Sequence, residues 1–259
     1  MVYLFEIEAY KERGQVMRTI GLLTIIGIII CGQAAGQTQD SYEYTSEFIW
    51  GVNKNSSSGI IGGFVFKKSR KLNDYMFETY GLEIMNVRHP QEVRKTSASG
   101  SFFIFGKSNY LYAFRLQYGR DFLLFQKAPQ QGVEIKAVFA AGPTIGVVAP
   151  YYIERRVDGQ GLVTVKEPYD PNNPKHRYVD IVRNGGIFYG IGESKLQFGG
   201  NLKAALNFET GVLKSQVTGF EVGFLLDSYF KEVVMVPTAP KNYSVYPTIF
   251  LSIFYGTRK

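Results

Sequence analysis

Residues 199–209 read Gly-Gly-Asn-Leu-Lys-Ala-Ala-Leu-Asn-Phe-Glu. In an extended strand, Asn201, Lys203, Ala205, Asn207 and Glu209 share one face, while Leu202, Ala204, Leu206 and Phe208 share the other. Successive strand side chains point to opposite faces, so this period-two pattern sets a polar face against an apolar one. The pattern recurs along the chain. Strands of about ten residues with one charged and one apolar side predict a transmembrane β-barrel, a signal whose force lies in repetition.

Eight such segments follow one another. They are predicted at about 42–53, 59–68, 75–87, 108–126, 133–156, 199–209, 215–229 and 246–257. The fourth has the clearest aromatic row, Tyr110, Tyr112, Phe114, Leu116 and Tyr118, opposite Ala113, Arg115, Gln117, Gly119 and Asp121. Pro143 and Pro150 predict a kink or bulge in the fifth. Residues 67–73 read as a basic turn, 88–107 as a long polar loop, and 157–198 as the longest stretch without a clear strand. Residues 178–196 fit either a short helix or a hairpin. Connections after strands two, four and six are short, whereas those after three, five and seven run to about 20, 40 and 16 residues. Only the loop after the first strand breaks this alternation. The expected fold is all-β: a single eight-stranded antiparallel transmembrane barrel with a plugged interior.

The apolar run at 20–31 is too short to cross a bilayer as a helix. With Arg18 before it and small residues after it, the run reads as a signal peptide; Met17 is the expected start and cleavage falls before Gln37. The domain division is therefore 1–36, removed, and 37–259, the barrel. A buried core helix and a lipidated Cys31 are the alternatives, but Ile30 stands where a lipidation site needs a small residue. Cys31 is the sole cysteine, so 37–259 has no disulfide. Residues 1–36 hold three acidic and three basic residues, so the net charge of +7 belongs to 37–259. For an exported protein that charge points to lipopolysaccharide or phospholipid headgroups, with nucleic acid excluded.

At 119–120 (Gly-Arg), 142–146 (Gly-Pro-Thr-Ile-Gly), 150–152 (Pro-Tyr-Tyr) and 255–258 (Tyr-Gly-Thr-Arg) the chain resembles the small, PorT-like outer-membrane β-barrel proteins of Bacteroidota. The resemblance covers most of 100–259. It implies an outer-membrane location and eight strands, and it implies no activity.

The inner rows hold Glu47, Glu83, Arg115, Asp121, Glu134, Lys136, Lys203, Glu209 and Glu221. Eight strands leave an interior just wide enough for side chains, so opposite charges there are expected to pair and plug it. A selective ion path is the alternative. A rim hydrolase would need His89 beside Ser97, Ser99 or Ser101 with Glu92 orienting it, and nothing in the spacing fixes that geometry. His176 reads as part of a solvated basic loop. With two histidines, no metal site or cofactor is expected. Gly106-Lys107-Ser108 lacks the first glycine of a phosphate loop, because Ser101 stands there. Arg88, Arg94, Lys95, Lys107, Lys175, Arg177 and Arg183 either contact lipopolysaccharide phosphates or form a solvated rim.

The leading functional expectation is a non-enzymatic accessory subunit of a larger outer-membrane complex, in barrel insertion or protein secretion. Its contact with other outer-membrane proteins would run through Tyr178, Ile181, Ile187, Phe188 and Tyr189. A free-standing structural or adhesive barrel and a rim enzyme acting on lipid A are the alternatives.

Overall fold

The computed structural model describes residues 44–58, 62–97, 99–126, 132–157, 163–186, 189–210 and 215–259. The expected start, apolar run and cleavage site all lie outside the described residues. The described strands, in chain order, are β1 (Ser46–Asn55), β2 (Gly63–Asn73), β3 (Met76–Val87), β4 (Val93–Thr96), β5 (Phe102–Phe105), β6 (Asn109–Phe125) and β7 (Glu134–Pro150). They continue as β8 (Tyr152–Arg156), β9 (Thr164–Pro168), β10 (Ile181–Asn184), β11 (Lys195–Glu209), β12 (Gln216–Val233) and β13 (Tyr243–Arg258).

Eight of them form a closed antiparallel barrel in the order β1-β13-β12-β11-β7-β6-β3-β2. β1 closes the ring by pairing with β2 on one side and β13 on the other. Burial alternates along these strands, as in β12, where every second residue from Val217 to Tyr229 is buried. The outward rows are apolar and exposed, with Phe48, Trp50, Phe64, Phe139, Leu202, Phe224 and Ile253 among them.

Two of the expected boundaries change in ways that matter for the lumen and the loops, and the expected irregularity at Pro143 takes the form of a ladder gap. β2 runs on to Asn73 through the segment that reads as a basic turn, so Lys67 and Ser69 point inward. The fifth strand ends at Pro150, and the chain leaves the barrel at Tyr151 to enter β8. Pro143 lacks an N–H, and the β6–β7 ladder skips Leu116 and Gln117 opposite it without a register shift. The Asn201 amide fills that gap, donating to the Gly142 and Pro143 carbonyls at 3.0 and 3.2 Å.

The two barrel ends differ. At one end β2–β3, β6–β7 and β11–β12 are joined by short connections, and Thr45 N–H donates to the Lys259 carbonyl. We call this the turn end. At the other, the loop end, the long connections carry structure of their own. Residues 88–107 contain the β4–β5 hairpin, and 151–194 contain the three-stranded sheet β10-β8-β9. Residues 157–198 are thus strand-bearing, with two 3₁₀ turns at Tyr178–Asp180 and Ile191–Glu193.

Candidate functional site

Two features stand out: a charged lumen, and the platform that the loops build above it.

In the lumen, Arg115 reaches Asp227 at 2.5 Å and Glu83 at 3.2 Å. Glu83 meets Lys203 at 2.6 Å, and Lys203 meets Glu221 at 2.6 Å. Lys67 then links Glu221 at 3.6 Å to Asp121 at 2.5 Å. The result is one alternating chain, Asp227–Arg115–Glu83–Lys203–Glu221–Lys67–Asp121, drawn from β12, β6, β3, β11 and β2. Each member is buried. Alternation is what a buried charge set requires, because each ion removed from water needs an opposite neighbour to offset its desolvation. Toward the turn end, Lys136 lies between Glu134 at 2.9 Å and Glu47 at 3.4 Å, and Tyr44 donates to Glu134 at 2.9 Å. Glu209 pairs with Arg258.

All nine residues expected in the lumen are therefore buried there, in two groups. Sequence reasoning missed three further members. Asp227 follows the inward parity of the seventh strand, Lys67 was hidden in a basic run, and Arg258 sits at the last inward step of β13.

Above the charges an apolar cluster fills part of the lumen, beside the inward Asn53, Asn55 and Ser252 of β1 and β13. Met85, Val87, Leu111, Val148, Tyr229 and Tyr246 pack with Met235 and Val236 of the β12–β13 connection, which folds into the mouth. Gly146 makes room for this packing, since a Cβ there would come within 2.7 Å of the Tyr229 ring. The Asn242 side chain fixes the connection by accepting from the Met235 and Val236 N–H groups and donating to the Val236 carbonyl, each at 3.1 Å.

The platform has a second core outside the barrel wall, of Phe103, Tyr110, Tyr151, Ile153, Tyr169 and Ile181. The hairpin and the sheet are stitched together near β10. Ser97 and Ser99 both donate to the Val182 carbonyl, Asn184 donates to the Phe102 carbonyl, and the Tyr178 hydroxyl donates to the Thr96 carbonyl. Arg183 and the Thr164 hydroxyl hold the Glu154 carboxyl below the usual range. Burial pushes Glu167 upward, but Arg155 and His176 outweigh it and leave that carboxyl lowered as well.

Several expectations for the loops are corrected here. Lys107 is fully buried against Glu92 at 2.5 Å, and burial pulls its ammonium below the ordinary lysine range despite that partner. It belongs to no solvated rim. His176 is buried too, 3.1 Å from Glu167. Ile181 is a core residue of the platform, so it meets no partner at the surface. Tyr178 and Tyr189 are exposed, while Ile187 and Phe188 lie outside the described residues. The components imagined for a rim hydrolase are committed elsewhere: His89 bonds the Lys241 carbonyl and the Gln91 N–H, Glu92 holds Lys107, and Ser97 and Ser99 serve Val182. Among the described residues, no group of three or more His, Cys, Asp or Glu side chains is placed to hold a metal ion.

Fold and site together define a closed eight-stranded antiparallel barrel, apolar outside and ion-paired inside, carrying an ordered sheet at one mouth. No protein-family model matches the chain, and no curated protein matches it. Among solved structures it is similar to small outer-membrane β-barrel proteins. One is Ail, the attachment invasion locus protein of Yersinia pestis, in complex with the heparin analogue sucrose octasulfate; identity is 10%, coverage 84% of this chain and 100% of that one, and the TM-score 0.37. Another is Neisserial surface protein A, at 9% identity, 83% and 97% coverage, and a TM-score of 0.39. At these scores neither places the chain in a family, and the fold rests on its own strand register. The resemblance to Bacteroidota barrels finds no support among these matches.

Proposed function

We propose that this chain is a free-standing barrel of the outer membrane, sealed along its lumen, that holds a rigid adhesive platform outside the cell. The observation that carries the reading is the platform's own core. A loop that only bridged two strands would have no need to bury Phe103, Tyr151, Ile153, Tyr169 and Ile181 together. The apolar outward rows call for a hydrocarbon solvent, and the contrast of short turns and long loops orients the platform to the outside. The ion-paired chain and the apolar cluster at the mouth support a sealed lumen.

The platform offers the exposed aromatic groups Phe102, Phe105 and Tyr178 on or against the hairpin that carries Arg94 and Lys95, and Tyr189 beneath Lys166 at 4.6 Å. Lys95 lies 3.9 Å above the Phe105 ring and 5.6 Å from that of Tyr178. Rings beside cations that form no ion pair among the described residues suit the sugar faces and acidic groups of surface glycans, including lipopolysaccharide.

The test compares cells displaying the full chain with cells displaying Phe102→Ser/Tyr178→Ala, for attachment to a glycan-coated surface. Attachment should fall in the variant while the barrel stays heat-modifiable. Equal attachment would remove the platform from adhesion. A stoichiometric protein partner after mild detergent extraction would restore the accessory-subunit reading.

A further inference from the structure

On the outer wall, two adjacent rows of directly paired residues begin at cations near the turn end. The first row runs Arg70, Glu78, Arg120, Phe139, Ala204, Phe224 and Ile249, each paired with the next. The second runs Lys68, Tyr80, Tyr118, Ala141, Leu202, Leu226 and Pro247. Barrel strands tilt, so such rows climb the wall. Arg70 and Arg120 lie near the turn-end limits of β2 and β6, whereas Ile249 lies well into β13.

A groove of about 1040 Å³ follows these rows from Tyr118 and Arg120 to Pro247 and Ile249. Its floor is small, at Ala141 and Ala204, and Phe139, Leu202 and Phe224 stand along it. Four inter-strand steps from Arg120 to Ile249, at about 4.8 Å each, make a path of roughly 19 Å. One leaflet of the hydrocarbon core is about 15 Å thick, so a tilted acyl chain spans that path.

The lower end carries the charge. Glu78 accepts from the Tyr118 hydroxyl at 2.7 Å and from Arg120 at 3.0 Å. This carboxylate is spent on holding Arg120 and Tyr118 in place. Lys68 and Arg70 are exposed on the same outward side, and among the described residues neither is in an ion pair. With Tyr80 and Tyr118 beside them, they form a cationic, aromatic patch at the depth where headgroups lie.

We propose that the wall binds an anionic glycerophospholipid of the turn-end leaflet, its phosphate at Lys68, Arg70 and Arg120 and one acyl chain in the Ala141–Ala204 groove. Three cations against the single carboxylate of Glu78 leave the patch net positive, which favours an anionic headgroup over a zwitterionic one. This inference rests on the membrane reading above.

Native mass spectrometry of the full chain in detergent, with equimolar dioleoylphosphatidylglycerol and dioleoylphosphatidylcholine, tests it. The wild type should retain the anionic lipid preferentially. Removing two interfacial cations in Lys68→Gln/Arg70→Gln should cut that preference roughly thirtyfold. Ala141→Leu/Ala204→Leu, which fills the groove with side chains that lipid tolerates, should reduce retention of both lipids. Equal retention of the two lipids by the wild type would overturn the proposal, and so would full retention by a heat-modifiable groove variant. A wild-type chain that never becomes heat-modifiable in detergent would instead sink the membrane reading itself.

Discussion

Lys203 is the central link of the lumen chain, and replacing it with methionine should be the most damaging conservative change in the barrel. Its ammonium lies 2.6 Å from both Glu83 and Glu221, and all three side chains are nearly inaccessible. Methionine keeps much of the side-chain volume, so the loss is electrostatic. It leaves two buried carboxylates, each with one remaining cationic partner: Arg115 at 3.2 Å for Glu83 and the more distant Lys67 at 3.6 Å for Glu221. Breaking a buried pair by removing one partner costs about 3–5 kcal/mol, and here one cation serves two anions, which favours the upper part of that range. Adding Glu221→Gln should recover part of the loss, because the amide needs no counter-ion and still reaches Asn207, now 3.2 Å from the carboxylate. The assay is urea unfolding in lipid vesicles followed by the fluorescence of Trp50, the single tryptophan, which is exposed on the outer wall. A Lys203→Met barrel within about 1 kcal/mol of wild type would refute the argument, since it would mean that water reaches these carboxylates. Arg177→Ala provides the contrast, because its pair with Asp180 lies at the exposed surface and its loss should not register in the same assay.

Other consequences can be checked independently. Leu206 faces outward beside the inward Ala205, so Leu206→Arg should cost about 2–4 kcal/mol at mid-bilayer and impair assembly, whereas Ala205→Ser should assemble normally. Asn242→Ala strands the Met235 and Val236 N–H groups, at about 1–3 kcal/mol, and should appear as faster hydrogen exchange confined to the β12–β13 connection. Because Glu154 and Glu167 are held below the usual carboxylate range, their contribution is complete above the unfolded value of about 4.3 and is lost as pH falls through the lower folded values. Protease resistance of the platform should therefore be flat from neutral pH down to about 5 and drop only in stronger acid.

The barrel strands were legible because each outward face is apolar along its length, so the period of two survives even in single segments such as 199–209. Where that contrast vanished, the reading failed. In the run Lys67-Lys68-Ser69-Arg70-Lys71, polar groups occupy both parities, since Lys67 serves the lumen while Lys68 and Arg70 lie on the outer wall near the turn end. No periodicity can show a strand whose two faces are both polar. The platform failed for a different reason. Its strands are four or five residues long and its stitches join distant positions, as Ser97 and Val182 do across 85 residues. Lys107 and His176 looked solvated because their neighbours in sequence are polar, yet their burial comes from partners supplied by the fold.

The arrangement of charge also changes what the overall net charge of +7 means. The lumen holds Asp227, Glu83, Glu221, Asp121, Glu47, Glu134 and Glu209 against Arg115, Lys203, Lys67, Lys136 and Arg258. Acids therefore outnumber bases inside, and the part of the chain that meets solvent and headgroups is more cationic than the whole. Interior charges are largely offset by one another and lie out of contact with any ligand outside the wall. The surplus cations sit at the two ends, with Arg94 and Lys95 on the platform and Lys68 and Arg70 at the turn end. Those are the depths at which a barrel meets anionic groups, whereas the outward rows between them are apolar.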